Sequence, residues 1–265
     1  MDSLTTFSDR REFQRAAALL DKLGIAHTVI SPDPAYARVG CPAVMIGDAA
    51  RAAFLGDAEA DIVSAGWVDW RQPARTVPEE EPREFNEDIV GRVAIVVLAP
   101  CVADRDRLRL TAHFSGDAAD ALPYLNAQLP QGSYVAKLPV LTFMDGHRMV
   151  SLFSDRVAVA KADDIVDAWA SLERVRCLLN DAWSRRDEIT PSFELRRRPP
   201  ALEIYKRLPG TNCKRCGEAT CVAFAAAVWR GDAAPQLCLP VFDGERGDLR
   251  DALLAICSGL GLTSD

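Results

Sequence analysis

Histidine is scarce in this chain, with three in 265 residues, so imidazole chemistry has little material to work with. His27, His113 and His147 fall in strand-like stretches away from any cysteine or acidic motif, and each is expected to be structural or exposed. There is no phosphate-binding loop and no dinucleotide glycine fingerprint, which removes the usual nucleotide-dependent enzymes. No apolar run approaches the roughly 20 residues of a membrane-spanning helix. The opening MDSLTTFSDRREF is too polar for a secretory signal, so a cytoplasmic protein without a membrane span is the expectation. Net charge is −7, from 31 basic against 38 acidic residues, and nonspecific nucleic-acid binding is not expected of so acidic a surface.

Cysteine, by contrast, is concentrated. Four of the eight cysteines, Cys213, Cys216, Cys221 and Cys238, fall between Leu208 and Pro240 with the spacing C-x2-C-x4-C-x16-C. Packing needs no such density of thiols, whereas a soft metal or an iron–sulfur cluster does, because thiolates are its preferred ligands. Three closely spaced cysteines can wrap three corners of a cubane while a fourth returns from a distance. Gly217, directly after the second cysteine, permits a tight turn. From Cys221, the run CVAFAAAVWRG reads as a short helix with Val222, Ala225, Ala226 and Trp229 at helical spacing and Gly231 as its stop. Cys221 then sits in a first turn, where the helix dipole favours a thiolate. Lys214 and Arg215 lie in the same loop as candidate partners for the negative charge of a four-thiolate cluster.

Zinc is the main alternative, although structural zinc usually joins two short knuckles and only one C-x-x-C is present here. A thioredoxin-like pair at Cys213 and Cys216 would have no use for Cys221 and Cys238. The remaining cysteines are scattered, as suits a reducing compartment. Cys101 and Cys177 have apolar neighbours and read as packing residues. Cys41 follows Gly40 and reads as a small buried or half-buried residue. Cys257, on the apolar face of the terminal helix DLRDALLAICSGL, is an alternative fourth ligand.

The run LPGTNCKRCGEATCVAFA resembles the small [4Fe–4S] domain of the corrinoid iron–sulfur protein large subunit and of the ferredoxin-like subunit of Rnf electron-transfer complexes. In those families a leucine-proline-x-threonine lead-in precedes C-x2-C-G-x3-C-x2-[FY]-A, and a distant cysteine followed closely by proline completes the site. The resemblance implies a [4Fe–4S] cluster with Cys213, Cys216, Cys221 and Cys238 as ligands, and it favours Cys238 over Cys257. It covers about the last fifth of the chain and does not carry over corrinoid chemistry.

The rest predicts an α+β protein. Residues 1–71 form a small βαββαβ-like unit: Asp9 and Glu12 make a capping-box start for a helix ended by Gly24, between strand-like SLTTF and AHTVI, with VGCPAVMI and a helix near Ala49 to Leu55 following. This unit faintly resembles sulfur- or selenium-carrier domains with a cysteine at the place of Cys41. Residues 72–88 read as an acidic, proline-rich linker. Residues 89–190 read as a central, largely antiparallel sheet with helices. In it RVAIVVLAP is a buried strand, LTFMDGHRMVSLF is a hairpin about Asp145-Gly146, and a long helix runs from Asp163 to about Arg186. A basic linker, 191–207, leads to a small α-rich cluster domain, 208–265, over which Leu202, Tyr205 and Leu208 are candidates to shield the site.

From Arg185 to Arg215 nine basic residues stand against four acidic ones, an excess of five positive charges on an acidic protein. That stretch is a candidate docking face for an acidic redox partner or metalloenzyme, or a solvated linker. Two function classes follow. One is a non-enzymatic electron carrier or accessory protein, and the other is a sulfur-transfer or redox enzyme using Cys41 with the cluster in support. With all four motif cysteines engaged there is no open iron position for substrate, which favours the first.

Overall fold

Asp9 starts the first helix as its spacing predicts. Its carboxylate accepts the Glu12 backbone N–H at 2.9 Å, which caps α1 (Arg10–Lys22). The reciprocal half of the capping box is not made. Glu12 instead accepts the Val63 N–H at 3.2 Å and the Arg15 guanidinium at 2.6 Å, tying α1 to the chain that follows the second helix. The structure is a computed structural model that describes residues 2–56, 61–74 and 81–262.

Around α1 the elements run β1 (Asp2–Thr6), α1, β2 (His27–Ile30), β3 (Ala43–Gly47), α2 (Asp48–Gly56) and β4 (Val68–Asp69). This is the expected βαββαβ order. The strands lie β2-β3-β1-β4, all antiparallel, so β3 separates β2 from β1 and the arrangement is a split βαβ. Alternation sorts the two faces: Val44 and Ile46 pack with Leu19 and Leu20 of α1 on one side, while Leu4, opposite Met45 in the ladder, is buried on the other.

The second sheet has six strands in the order β5-β6-β10-β9-β8-β7, again all antiparallel. They are β5 (Val93–Pro100), β6 (Leu108–Phe114), β7 (Ser133–Val135), β8 (Val140–Asp145), β9 (Arg148–Leu152) and β10 (Arg156–Ala162), with α3 (Leu122–Gln128) between β6 and β7. The continuous apolar run of β5 predicts a strand buried on both faces, yet β5 is an edge strand with Val97 42% exposed. A bulge between Ile95 and Val97 turns the strand, leaving Ile95 and Leu98 inside. The predicted hairpin is present one residue on, with Asp145 opposite Arg148 across Gly146-His147.

Helix α4 (Ile165–Ser184) closes this sheet. The Asp164 carboxylate caps it by accepting the Asp167 N–H, and Trp169, Leu172, Val175 and Leu179 are buried in the core as the periodicity predicts. The same apolar cluster takes in Leu4 and Val68 of the first sheet and Tyr36 and Val39 of its β2–β3 connection, and the Leu98 N–H donates to the Ala65 carbonyl at 2.5 Å, so the two sheets share one interior. Residues 81–88 have no regular structure but are fastened to α4. Arg176, 1% exposed at its side chain, pairs with Asp88 at 3.0 Å and Glu173 at 2.7 Å and lies over the Phe85 ring. Asp88 also accepts the Asn180 amide and the Val90 and Gly91 N–H groups.

Beyond α4 the chain crosses α3 as an extended strap. The Ser192 N–H donates to the Pro123 carbonyl, and Arg196 donates to the Asn126 and Leu129 carbonyls. The last stretch is helical, as expected: α5 (Ala201–Tyr205), α6 (Cys221–Arg230), α7 (Leu239–Phe242) and α8 (Arg250–Gly259) enclose a separate small core of Ile204, Leu208, Phe224, Val228, Val241 and Leu253. This core docks on the β8–β9 hairpin. The Gly146 N–H donates to the Gly261 carbonyl at 2.8 Å, and Gly231, at φ +73°, meets the His147 backbone so closely that a Cβ there would fall 2.6 Å from the His147 Cα.

Candidate metal centre

Thr220 begins the local order. It sits in extended backbone before an alanine-rich run, and its hydroxyl accepts the Ala223 N–H at 3.0 Å, which starts α6 at Cys221. The Asn212 side chain accepts the Cys221 N–H at 2.8 Å and ties the loop to the helix start nine residues on. Between them the backbone adopts positive φ at Gly210, Asn212, Lys214 and Gly217. Alternation of left- and right-handed residues folds a short loop into a concavity of the kind that receives anions and iron–sulfur clusters. Neither Thr220 nor Asn212 was singled out by cysteine spacing. A threonine directly before an apolar helical run was the available signal for the first, and the second has no sequence signature.

Cys213, Cys216, Cys221 and Cys238 all line one small cavity, with Pro209, Asn212, Thr220, Phe224 and Pro240 completing its wall. Cys213 is exposed, Cys216 half-buried, and Cys221 and Cys238 buried. Burial pushes the Cys238 thiol up, and the neighbouring Cys221, Cys216 and Cys213 push it the same way. Cys238 arrives from a 3₁₀ turn over Pro235–Leu237 and immediately precedes α7, so Pro240 serves as that helix's early proline. All eight cysteines are free thiols.

The other cysteines stay apart from this cavity. Cys257 is fully buried in the small core and its thiol is pushed up to about 11 by burial. Cys101 is buried in the main body. Cys177 on α4 is half-buried and pushed up to about 11, chiefly by burial. Cys41 is half-buried, and burial raises its thiol to about 11, the opposite of what activates a nucleophile.

Three expectations about the surroundings are corrected. The inward face of α6 is Cys221, Phe224, Ala225 and Val228, while Val222 is 55% exposed. The apolar stripe read from sequence was rotated, because alanines blur the period and the ligand-side helix start fixes the face. Of the residues read as a shield, Leu208 is buried in the same small core as Cys221 and Cys238, as is Ile204, and Tyr205 packs against that core, whereas Leu202 is 53% exposed. Arg215 turns from the loop to Asp243 and Glu245, at 2.7 Å each, while its charge still acts near Cys213.

Much of the basic stretch is likewise engaged. Arg198 lies over the Trp229 ring and donates to the Trp229 carbonyl, Lys206 and Arg207 pair with Glu203, and Arg196 holds the strap. Among the described residues, the set of three potential ligands whose donor atoms lie within 4.8 Å of one another is His147, Asp163 and Asp167. It is an ion-pair network rather than a cation site: Arg148 clamps Asp167 at 2.6 Å through two nitrogens and also reaches Asp163, which Arg107 meets at 3.2 Å.

A family match falls on the same segment. Residues 208–240 match the family described as "Putative Fe-S cluster". Over 40 residues the chain is 52% identical to the acetyl-CoA decarbonylase/synthase complex subunit gamma 2 of Methanosarcina thermophila, covering 15% of this chain and 8% of that protein. Over 45 residues it is 49% identical to the corrinoid/iron-sulfur protein large subunit of Moorella thermoacetica, covering 17% of this chain and 10% of that protein. The chain thus spans a tenth or less of the length of these curated relatives. No solved structure matches it significantly. The family match places an iron–sulfur likeness on the cysteine-bearing segment, and one of the two relatives is named an iron-sulfur protein.

Proposed function

We propose that Cys213, Cys216, Cys221 and Cys238 hold a [4Fe–4S] cluster, and that the protein is a non-enzymatic cytoplasmic electron carrier or accessory protein for a partner metalloenzyme. The observation that carries this reading is that these four of the eight cysteines line a single cavity, while Cys41, Cys101, Cys177 and Cys257 do not. Structural zinc usually joins two short cysteine knuckles, whereas one C-x-x-C with two separate partners suits a larger group.

A bound cluster of this kind supplies reversible one-electron transfer. The protein's part is to hold and shield. Thr220 and Asn212 fix the start of α6 so that Cys221 faces the cavity. Ile204, Leu208 and Phe224 keep water from the inner side, which tunes the potential of whatever the thiolates hold. The exposed Cys213 leaves the outer side open to a partner's redox centre. Exposed Arg197 and Lys214 supply the positive charge by which segment 185–215 would receive an acidic partner, with Arg185 and Lys206 already paired to Glu188 and Glu203. The relatives' names, one of them a subunit of a complex, support a role beside another protein. Eight unpaired thiols suit the reducing cytoplasm.

Anaerobic reconstitution with iron and sulfide, followed by EPR and redox titration, tests this reading. The expected result is about four irons per chain and a reversible one-electron couple. A colourless, iron-free protein would sink the cluster, and a redox-inert cluster would sink the carrier.

A further inference from the structure

At the seam between the two sheets, far in sequence from the cysteine cavity, lies a second recess of about 490 Å³. One wall is the end of β1 and the first turn of α1, through Ser8, Asp9 and Arg10. The lining also takes in the start of β5 and the end of β6, through Arg92, His113 and Ser115, together with Cys41. Its size falls within the range of small-molecule sites, about 300 to 1,000 Å³.

Charge distinguishes this recess from the rest of an acidic protein. Three arginines, Arg10, Arg38 and Arg92, line it against one carboxylate, Asp9. Arg38 is neutralised by its pairing with Glu84. Asp9 is committed to the Glu12 N–H at the head of α1. Arg10 and Arg92 make no ion pair with any described residue, and both line the recess, one opening α1 and the other immediately preceding β5. The backbone of Arg92 is held in place through its N–H to the Ser115 hydroxyl at 2.8 Å. The first turn of α1 adds the positive end of a 13-residue helix. Cys41 is fixed by its carbonyl, which accepts the Thr6 hydroxyl at 3.2 Å. Its thiol, raised to about 11 chiefly by burial, is neutral at pH 7 and does not repel an anion.

We propose that this recess binds a small polyanion through its phosphate or carboxylate oxygens, held between the Arg10 and Arg92 guanidiniums with Cys41 beside it. Planar guanidiniums meet both oxyanions with paired hydrogen bonds, so the chemistry is shared by the two sources. The site is independent of the cysteine cavity and of whatever that cavity holds.

Calorimetric titration of the full-length protein with pyrophosphate and, separately, with citrate tests the assignment. At least one is expected to bind, the tighter one identifying the source, and Arg10→Ala and Arg92→Ala are each expected to weaken it at least fivefold. Both side chains are at the surface, and circular dichroism checks that each variant is folded. Location is read independently: the saturating anion should slow N-ethylmaleimide alkylation of Cys41, followed by peptide mass, at least fivefold. Absence of binding by both anions, undiminished binding in both arginine variants, or unchanged Cys41 alkylation overturns the proposal.

Discussion

Lys161 on β10 extends its amine to the far end of the helix that begins with Cys221, 2.5 Å from the Asp232 carboxylate and 2.7 Å from the Arg230 carbonyl. Lys161 stands in left-handed backbone, φ +67°, at the bulge where β10 shifts register against β6, and its side chain is 11% exposed. A cation at a helix C-terminus satisfies its unpaired carbonyls and its dipole. The main sheet therefore holds α6 at one end while the cysteine loop forms at the other.

Lys161→Met is expected to loosen the helical C-terminal part without unfolding the sheets. Losing a charge-assisted pair in which Lys161 is buried but Asp232 is 38% exposed costs on the order of 1 to 2 kcal/mol when the side-chain volume is kept. Hydrogen exchange should report faster opening of residues 221–232, with β6 and β9 unchanged. Equal protection throughout would mean that Lys161 does not hold the helix.

Asp232 gives the same contact a pH signature. Burial alone would raise its carboxyl, but hydrogen bonds from Lys161 and Arg230 outweigh that and hold it below the ordinary value. A carboxylate depressed in the folded state stabilises fully above its unfolded pKa of about 3.9, and that contribution disappears as pH falls through the lower folded value. The stability difference between wild type and Asp232→Asn should therefore be largest near pH 6 and shrink below about pH 4. Urea melts at both pH values measure it, and a pH-independent difference would contradict the pairing.

Cysteine replacement separates ligand from packing residue. Serine at Cys213, Cys216, Cys221 or Cys238 is expected to lower iron content after reconstitution, most severely at the buried pair Cys221 and Cys238. Cys257→Ser should retain its iron and instead lose about 1 to 3 kcal/mol of stability, because a hydroxyl replaces a thiol in an apolar core. Iron analysis and thermal melts on the five variants distinguish these outcomes.

Arg176 carries the heaviest structural demand outside the cysteine site. It is buried, paired with Glu173 and Asp88, and it donates to the Arg83 carbonyl at 2.5 Å. Truncating one member of such a group strands the others, so Arg176→Ala is expected to cost about 3 to 5 kcal/mol in denaturant unfolding. Replacing Gly231 by alanine should destabilise by about 1 to 2 kcal/mol from the left-handed backbone alone, and further because its Cβ would meet His147. Arg176→Ala should lower the melting of the sheets, whereas Gly231→Ala should free the C-terminal part first.

The sequence by itself determined the α+β class, the βαββαβ order of the first unit, the long helix α4 and the span of α6, because these rest on periodicity, capping residues and terminal glycines read within a few positions. Spacing also grouped Cys213, Cys216 and Cys221, which one loop carries, while the return of Cys238 to the same cavity is a matter of tertiary structure. Tertiary structure decided what local pattern cannot encode. β5 became an edge strand despite its apolar run, because a bulge gives it a single buried face. Ile204 rather than Leu202 became part of the small core, and much of the basic stretch turned inward to carbonyls and carboxylates. Lys161, unremarked in its strand, became the clamp on α6 because a residue 69 positions away presents it with an open helix end. Such pairings depend on which surfaces meet when the chain closes, and no short window of sequence contains both partners.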